Sequence, residues 1–175
     1  MKIILFIAFV GCFVQLAKCS ILRVQPTSNS STCSGVVYRH NCIWLPYKTP
    51  FGMSDKKDAA DYCYSQGGDL VDIVNKEMYE LVYDYASLSI TTSSPYGTFY
   101  VWLAMLYTSE DQLVRQSSGG PVSYVRWYHP KTHRKSGSII WTVADHNHLN
   151  VGYTGYWTDD GDYNLGFPLC TKYMG

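Results

Sequence analysis

The sequence predicts a single α+β domain held together by disulfide bonds, and three observations support this prediction. Two helical patterns occur early in the chain, short segments rich in aromatic and β-branched residues occur later, and four cysteines lie beyond an apolar leader. Helices segregated from short strands are typical of the α+β class. An even number of cysteines in an exported chain indicates a disulfide framework, although four cysteines allow three pairings.

The leader has the pattern of a signal peptide over residues 1–19. Its apolar run, residues 3–14, follows a positively charged start and is too short to cross a bilayer. Ala17 and Cys19 are the small residues that signal peptidase requires, so we expect cleavage before Ser20. No later segment is apolar enough to span a membrane. We therefore expect a secreted, extracellular protein with no membrane anchor.

Cleavage leaves 156 residues, which is the size of one domain. We expect residues 20–32, rich in Ser, Thr and Pro, to form a tail, and residues 33–175 to form the domain. Asn29 in the tail stands in the one Asn-x-Ser/Thr sequon and is the candidate glycosylation site. The cleaved chain has 12 basic and 14 acidic residues. This balance argues against nucleic acid as a partner, because nucleic acid binding needs a dense basic surface.

Local patterns predict the first elements. Aromatic and β-branched residues between Val36 and Tyr47 predict two short strands. Ser54 is the predicted N-cap of a first helix that Gly67-Gly68 ends. Asn75 is the predicted N-cap of a second helix, after an extended stretch over residues 69–74. Apolar residues repeat in this second helix at spacings of three and four, at Met78, Leu81, Val82 and Tyr85.

Later segments predict strands. The run from Phe99 to Tyr107 is almost entirely apolar and has the length of a strand, so it is the predicted buried central strand. Three shorter aromatic segments, separated by polar loops, complete the predicted strands: Ser123–Tyr128, Ile139–Trp141 and Tyr153–Trp157.

Several short motifs follow one another over nearly the whole cleaved chain. In order, they are the segment between Cys33 and Cys42, Asp58-Ala-Ala-Asp-Tyr-Cys63, Gly67-Gly-Asp-Leu70-Val-Asp-Ile73, Asn75-Lys-Glu77, Trp102-Leu-Ala-Met105, Trp127, Trp141, Trp157-Thr-Asp159 and Cys170. Their order and spacing resemble the C-type lectin-like domain in its longer form, which carries an extra amino-terminal hairpin. Ala104 stands where the family has the glycine of its Trp-Ile-Gly-Leu motif.

The resemblance implies a double-looped fold in which the first and last strands pair. It also implies disulfide bonds between Cys33 and Cys42 and between Cys63 and Cys170. The family usually has another bridge across its ligand-binding loops, and His148 and Asp162 stand at those two cysteine positions. A contact between His148 and Asp162 in place of this bridge is a hypothesis.

The resemblance raises the question of calcium. Sugar-binding members of the family hold calcium with a Glu-Pro-Asn or Gln-Pro-Asp triplet and with Asn-Asp after a tryptophan. Counting from Trp141 places Asp145-His146-Asn147 at the triplet, without its proline. Thr158 replaces the second asparagine, whereas Asp159 is retained and Asp160 adds charge. Because calcium prefers oxygen ligands, the predicted calcium set is Asp145, Asn147, Asp159 and Asp160.

The predicted function is carbohydrate recognition through the same loops, with or without calcium. Tyr153 and Tyr156 are the predicted open aromatic contacts, whereas Trp157 is expected to be buried as in the family. The alternative is a module that binds an extracellular protein without calcium, which the missing proline triplet favours. The sequence does not indicate an oligomeric state. The predicted carbohydrate contacts are Asp145, Asn147, Tyr153, Tyr156 and Asp159.

Other candidate sites have simpler interpretations. The pairs His129 with His133 and His146 with His148 have spacings that zinc accepts, but they lie in loops without cysteine. The basic segment 129–135 is interpreted as a solvated loop. The chain has no nucleophile elbow, phosphate-binding glycine loop or His-Glu-x-x-His motif, so we predict no catalytic residues and no enzymatic activity.

Overall fold

The structure is a computed structural model that describes residues 33–46, 52–53, 55–89, 98–128, 135–144, 154–159 and 165–175. These residues form two helices and two mainly antiparallel sheets, which confirms the α+β class. The elements in chain order are β1 (Val36–Tyr38), β2 (Asn41–Trp44), α1 (Lys56–Ser65), β3 (Asp69–Leu70), α2 (Lys76–Ser89), β4 (Thr98–Thr108), β5 (Leu113–Arg115), β6 (Gly137–Ala144), β7 (Gly155–Thr158), β8 (Phe167–Pro168) and β9 (Cys170–Tyr173).

The first sheet joins the two ends of the domain. Its strand order is β1-β2-β9-β3, so the last strand lies between β2 and β3. The expected pairing of first and last strands therefore needs a correction, because β9 pairs with the second strand of the amino-terminal hairpin. The first strand, β1, pairs only with β2 in this sheet and forms its edge.

The second sheet carries the central strand of the domain. Its order is β5-β4-β6-β7, and β8 pairs with β4 in parallel. Val101, Trp102, Leu103 and Met105 of β4 are fully buried, which agrees with the predicted central strand. The β4–β6 register shifts between Trp102 and Leu106. Within this irregular stretch the ammonium of Lys56 donates to the carbonyls of Ala104 (2.5 Å) and Met105 (3.1 Å), which ties α1 to the sheet.

Local capping sets the helix ends. Asp55 is the N-cap of α1, because its carboxylate accepts a hydrogen bond from the Asp58 amide at 2.8 Å. The prediction of Ser54 as the cap is therefore wrong by one residue, and Ser54 itself lies outside the described residues. Gly67, with φ of 75°, follows the last turn as predicted. The side-chain oxygen of Asn75 accepts from the Met78 amide at 2.9 Å and caps α2, also as predicted.

Two disulfide bonds connect these elements. Cys33 bonds to Cys42 within the amino-terminal hairpin, and Cys63 of α1 bonds to Cys170 of β9. Both pairings are the ones that the family resemblance implied. Cys63 and Cys170 are fully buried beside Trp102 and Ile140, so the longer bridge passes through the smaller of the two apolar clusters.

Candidate functional site

The strand β7 has one buried and one partly exposed aromatic residue. Tyr156 pairs with Trp141 of β6 and is fully buried, so its prediction as an open carbohydrate contact is wrong. Its ring meets those of Tyr79 and Trp141 in edge-to-face contacts within the main core. Neighbouring side chains of a strand point to opposite faces. Trp157, which we expected in the core, therefore points to the other face and is only partly buried.

Trp157 is held in a defined orientation from two sides. Its indole Nε1–H donates to the hydroxyl of the buried Thr142 at 2.6 Å. On the other side its ring stacks on that of Tyr128, with ring centroids 4.3 Å apart and an angle of 25° between planes. Tyr128 is also partly exposed. We call these two rings, together with Asp159 two residues after Trp157 in the chain, the Trp157 platform, defined as Tyr128, Trp157 and Asp159.

Tyr128 reaches Trp157 because the segment before it runs along the outer edge of β7. We expected a strand over Ser123–Tyr128, but the segment forms only an isolated bridge, between Trp127 and Tyr156. We call residues 122–128 the strap. The Tyr128 amide donates to the Tyr156 carbonyl at 3.1 Å, and the Tyr156 amide donates to the Arg126 carbonyl at 2.7 Å. The sequence shows that the strap is rich in aromatic residues, but it does not indicate that the strap lies along β7.

Asp159 is the one residue of the predicted calcium set that lies in the described part of the chain. Its amide donates to the carbonyl of Ser138 at 2.8 Å, so Asp159 lies beside the start of β6. The other three residues of the set lie outside the described residues, so the calcium site stays a prediction.

Most other predicted site residues lie outside the described residues. These are Asp145, Asn147, Tyr153, Asp160, Asn29 and the His148–Asp162 pair. Within the described ranges, no three His, Cys, Asp or Glu side chains come together as a metal site. Neither helix in this part of the chain is long and apolar enough to cross a membrane.

The buried hydroxyl of Tyr156 has no hydrogen-bond partner among the residues that the structure describes. Burial raises the pKa of this phenol well above its ordinary value, so the hydroxyl stays protonated at neutral pH. An unsatisfied buried hydroxyl costs about 1–3 kcal/mol. The neighbouring hydroxyl of Tyr79 differs, because it accepts from the Trp141 indole at 3.3 Å and lies 3.4 Å from the Thr154 hydroxyl.

Tyr156→Phe is therefore expected to raise the free energy of unfolding by about 1 kcal/mol, because it removes this cost and keeps the ring. Urea unfolding measures the change. Tyr79→Phe is the matched control and is expected to lower stability by about 1 kcal/mol, since it breaks real hydrogen bonds. A loss of stability in Tyr156→Phe equal to that in Tyr79→Phe would contradict this description of the core.

Comparisons with known proteins agree on the fold. The structure resembles the SPL-1 complex with GlcNAc (TM-score 0.59, 16% identity, covering 82% of this chain and 96% of that one). It also resembles human lithostathine (TM-score 0.59, 17% identity, 86% and 97%). The calcium-independent C-type lectin SPL-2 from Saxidomus purpuratus is similar as well (TM-score 0.58, 18% identity, 82% and 95%).

Sequence comparison, by contrast, finds no match. No protein-family model matches the chain, and no curated protein sequence does. The similarity therefore lies in the fold, at identities of 16–18%. The four domain cysteines form two bridges, and the remaining ones, Cys12 and Cys19, belong to the predicted leader. The chain therefore has the fold of a C-type lectin-like domain of the long form, divergent in sequence and without the second loop disulfide.

Proposed function

We propose that this domain recognises carbohydrate without calcium, through the Trp157 platform. The observation that carries the proposal is the stacked pair of Tyr128 and Trp157, which is partly exposed and held in place by a hydrogen bond from Trp157 to the buried Thr142. Aromatic faces bury large apolar areas at low entropic cost, and one face of a sugar ring is made of C–H groups. The carboxylate of Asp159 supplies acceptors for hydroxyl groups.

The departures from the family's calcium motifs support independence from calcium. His146 stands at the position of the triplet's proline, and Thr158 replaces the second asparagine. The names of two similar structures each support one part of the proposal: SPL-1 is in complex with GlcNAc, which supports a sugar ligand, and SPL-2 is a calcium-independent lectin. We further propose that the protein acts outside the cell, where its two disulfide bonds are stable.

Tyr128→Ala is expected to weaken glycan binding about tenfold, because it removes one of the two stacked rings, and an aromatic contact contributes about 1 kcal/mol beyond area burial. A glycan array probed in chelator identifies the sugar, and titration of that sugar measures the affinity. Tyr64→Ala is the matched control, since Tyr64 is 80% exposed and lies on α1, an element that contributes no residue to the platform.

The same array distinguishes the outcomes. Binding that appears only with calcium and is lost in Asp159→Ala contradicts calcium independence. Binding that Tyr128→Ala leaves unchanged contradicts the platform as the site. An array without any signal, with and without calcium, contradicts carbohydrate recognition.

A second candidate function is recognition of an extracellular protein. Leu106 of β4 and Leu113 of β5 are 46% and 41% exposed. The register pairs Leu106 with Arg115 and Thr108 with Leu113, so both leucines lie on the outer face of the sheet. Exposed apolar side chains on one face are typical of protein contacts. An array without signal would favour this candidate over carbohydrate.

A further inference from the structure

Gly155 begins β7 at a point where the strap comes unusually close. A Cβ atom at this position would lie 2.4 Å from the amide nitrogen of Tyr128 and 2.6 Å from the carbonyl carbon of Trp127. Both are backbone atoms, so rotation of a side chain cannot relieve the contact. A residue with any side chain at this position must therefore push the strap away from β7.

Hydrogen bonds hold the amino-terminal end of the strap. A side chain at position 155 would therefore displace the carboxyl-terminal end, which carries Tyr128. The amide of Val122 donates to Val114 of β5, and the amide and hydroxyl of Ser123 both donate to Val74. Further along, the Trp127 ring packs at right angles on Tyr107, with centroids 5.3 Å apart. Near Gly155 the strap is held by the two backbone hydrogen bonds between Arg126, Tyr128 and Tyr156.

We infer that Gly155 is a positioning residue for carbohydrate recognition, because its missing side chain lets the strap place the Tyr128 ring on Trp157. Gly155 touches no ligand itself and acts through Tyr128. This inference rests on the proposed function for its role in recognition. The placement of the ring, however, is a property of the unliganded protein and is measured without any glycan.

The test follows the indole Nε1–H resonance of Trp157 in the ¹H–¹⁵N spectrum, identified by its loss in Trp157→Phe. In the wild type this proton feels the ring current of Tyr128, whose ring is stacked on the indole with the two ring centroids 4.3 Å apart. Gly155→Ala is expected to move the resonance toward its position in Tyr128→Ala, which lacks the ring. Gly120→Ala is the control and is expected to leave it in place, because a Cβ there meets nothing closer than 3.7 Å.

Binding measurements then test the role in recognition. Gly155→Ala is expected to weaken the affinity for the glycan found on the array about tenfold, as Tyr128→Ala does. A folded Gly155→Ala protein with the wild-type indole resonance would overturn the inference, and so would a shifted resonance with unchanged affinity. If the wild type binds no glycan, the proposed function fails, while the resonances still decide whether Gly155 places Tyr128.

A second measurement applies if Gly155→Ala does not fold. In the wild type, the amides of Tyr128 and Tyr156 both donate across the contact between the strap and β7. We expect both to exchange with deuterium as slowly as the amides of the β6–β7 ladder. Exchange of the Tyr128 amide at the rate of an exposed loop would show that the strap is not held at Gly155, and would overturn the inference.

Discussion

Replacing Cys63 and Cys170 together by alanine is expected to lower the free energy of unfolding by about 4–5 kcal/mol. The bond joins residues 107 positions apart, so it restricts the unfolded chain over most of the domain. Chain-entropy estimates rise with the length of the closed loop and reach about 4.7 kcal/mol for about 100 residues. Both sulfurs are also fully buried, so their loss leaves a cavity beside Trp102. Urea unfolding, with the slope compared between variants, measures the loss.

The second disulfide provides the control within the same protein. Cys33 and Cys42 are only 9 positions apart, and removing both is expected to cost about 2–3 kcal/mol. The difference in the free energy of unfolding between the two double variants therefore measures the effect of loop length. Equal losses of stability in the two variants would contradict the interpretation that the disulfide bonds stabilise the protein by restricting the unfolded chain.

Trp102→Ala is expected to lower the free energy of unfolding by about 3–5 kcal/mol. The side chain is fully buried between α1, β6 and β9, and its indole Nε1–H donates to the Met53 carbonyl at 3.1 Å. A Cβ on Gly166 would come within 2.8 Å of this indole, so the ring is tightly enclosed. Thermal and urea unfolding measure the loss.

Two further variants show how much of this loss comes from the buried volume of the side chain. Trp102→Phe keeps most of the apolar volume and is expected to cost clearly less than alanine, because the cavity is smaller. Tyr64→Ala removes an aromatic ring that is 80% exposed and is expected to change stability by less than about 0.5 kcal/mol. A loss in Trp102→Ala no larger than that in Tyr64→Ala would contradict the burial of Trp102.

The candidate site was only partly predictable from the sequence. Asp159 was identified through the Trp157-Thr-Asp159 motif, and it lies beside the start of β6 as part of the Trp157 platform. Tyr128 was missed, because its segment has the composition of a strand. The position of this segment along the edge of β7 depends on hydrogen bonds with Val74, Val114 and Tyr156, which are distant from it in the sequence. Such contacts leave no local pattern.

The sequence by itself determined the helix at Asn75 and the buried strand around Trp102, because a cap and an apolar run act within a few residues. Only the tertiary structure decided which of Tyr156 and Trp157 faces the core. Both are large and aromatic, and they lie on opposite faces of the strand. Whichever face of the strand turns to the core, one of the two is buried. The register of Tyr156 with Trp141, and the close approach of the strap at Gly155, selected the phase that buries Tyr156 and exposes part of Trp157.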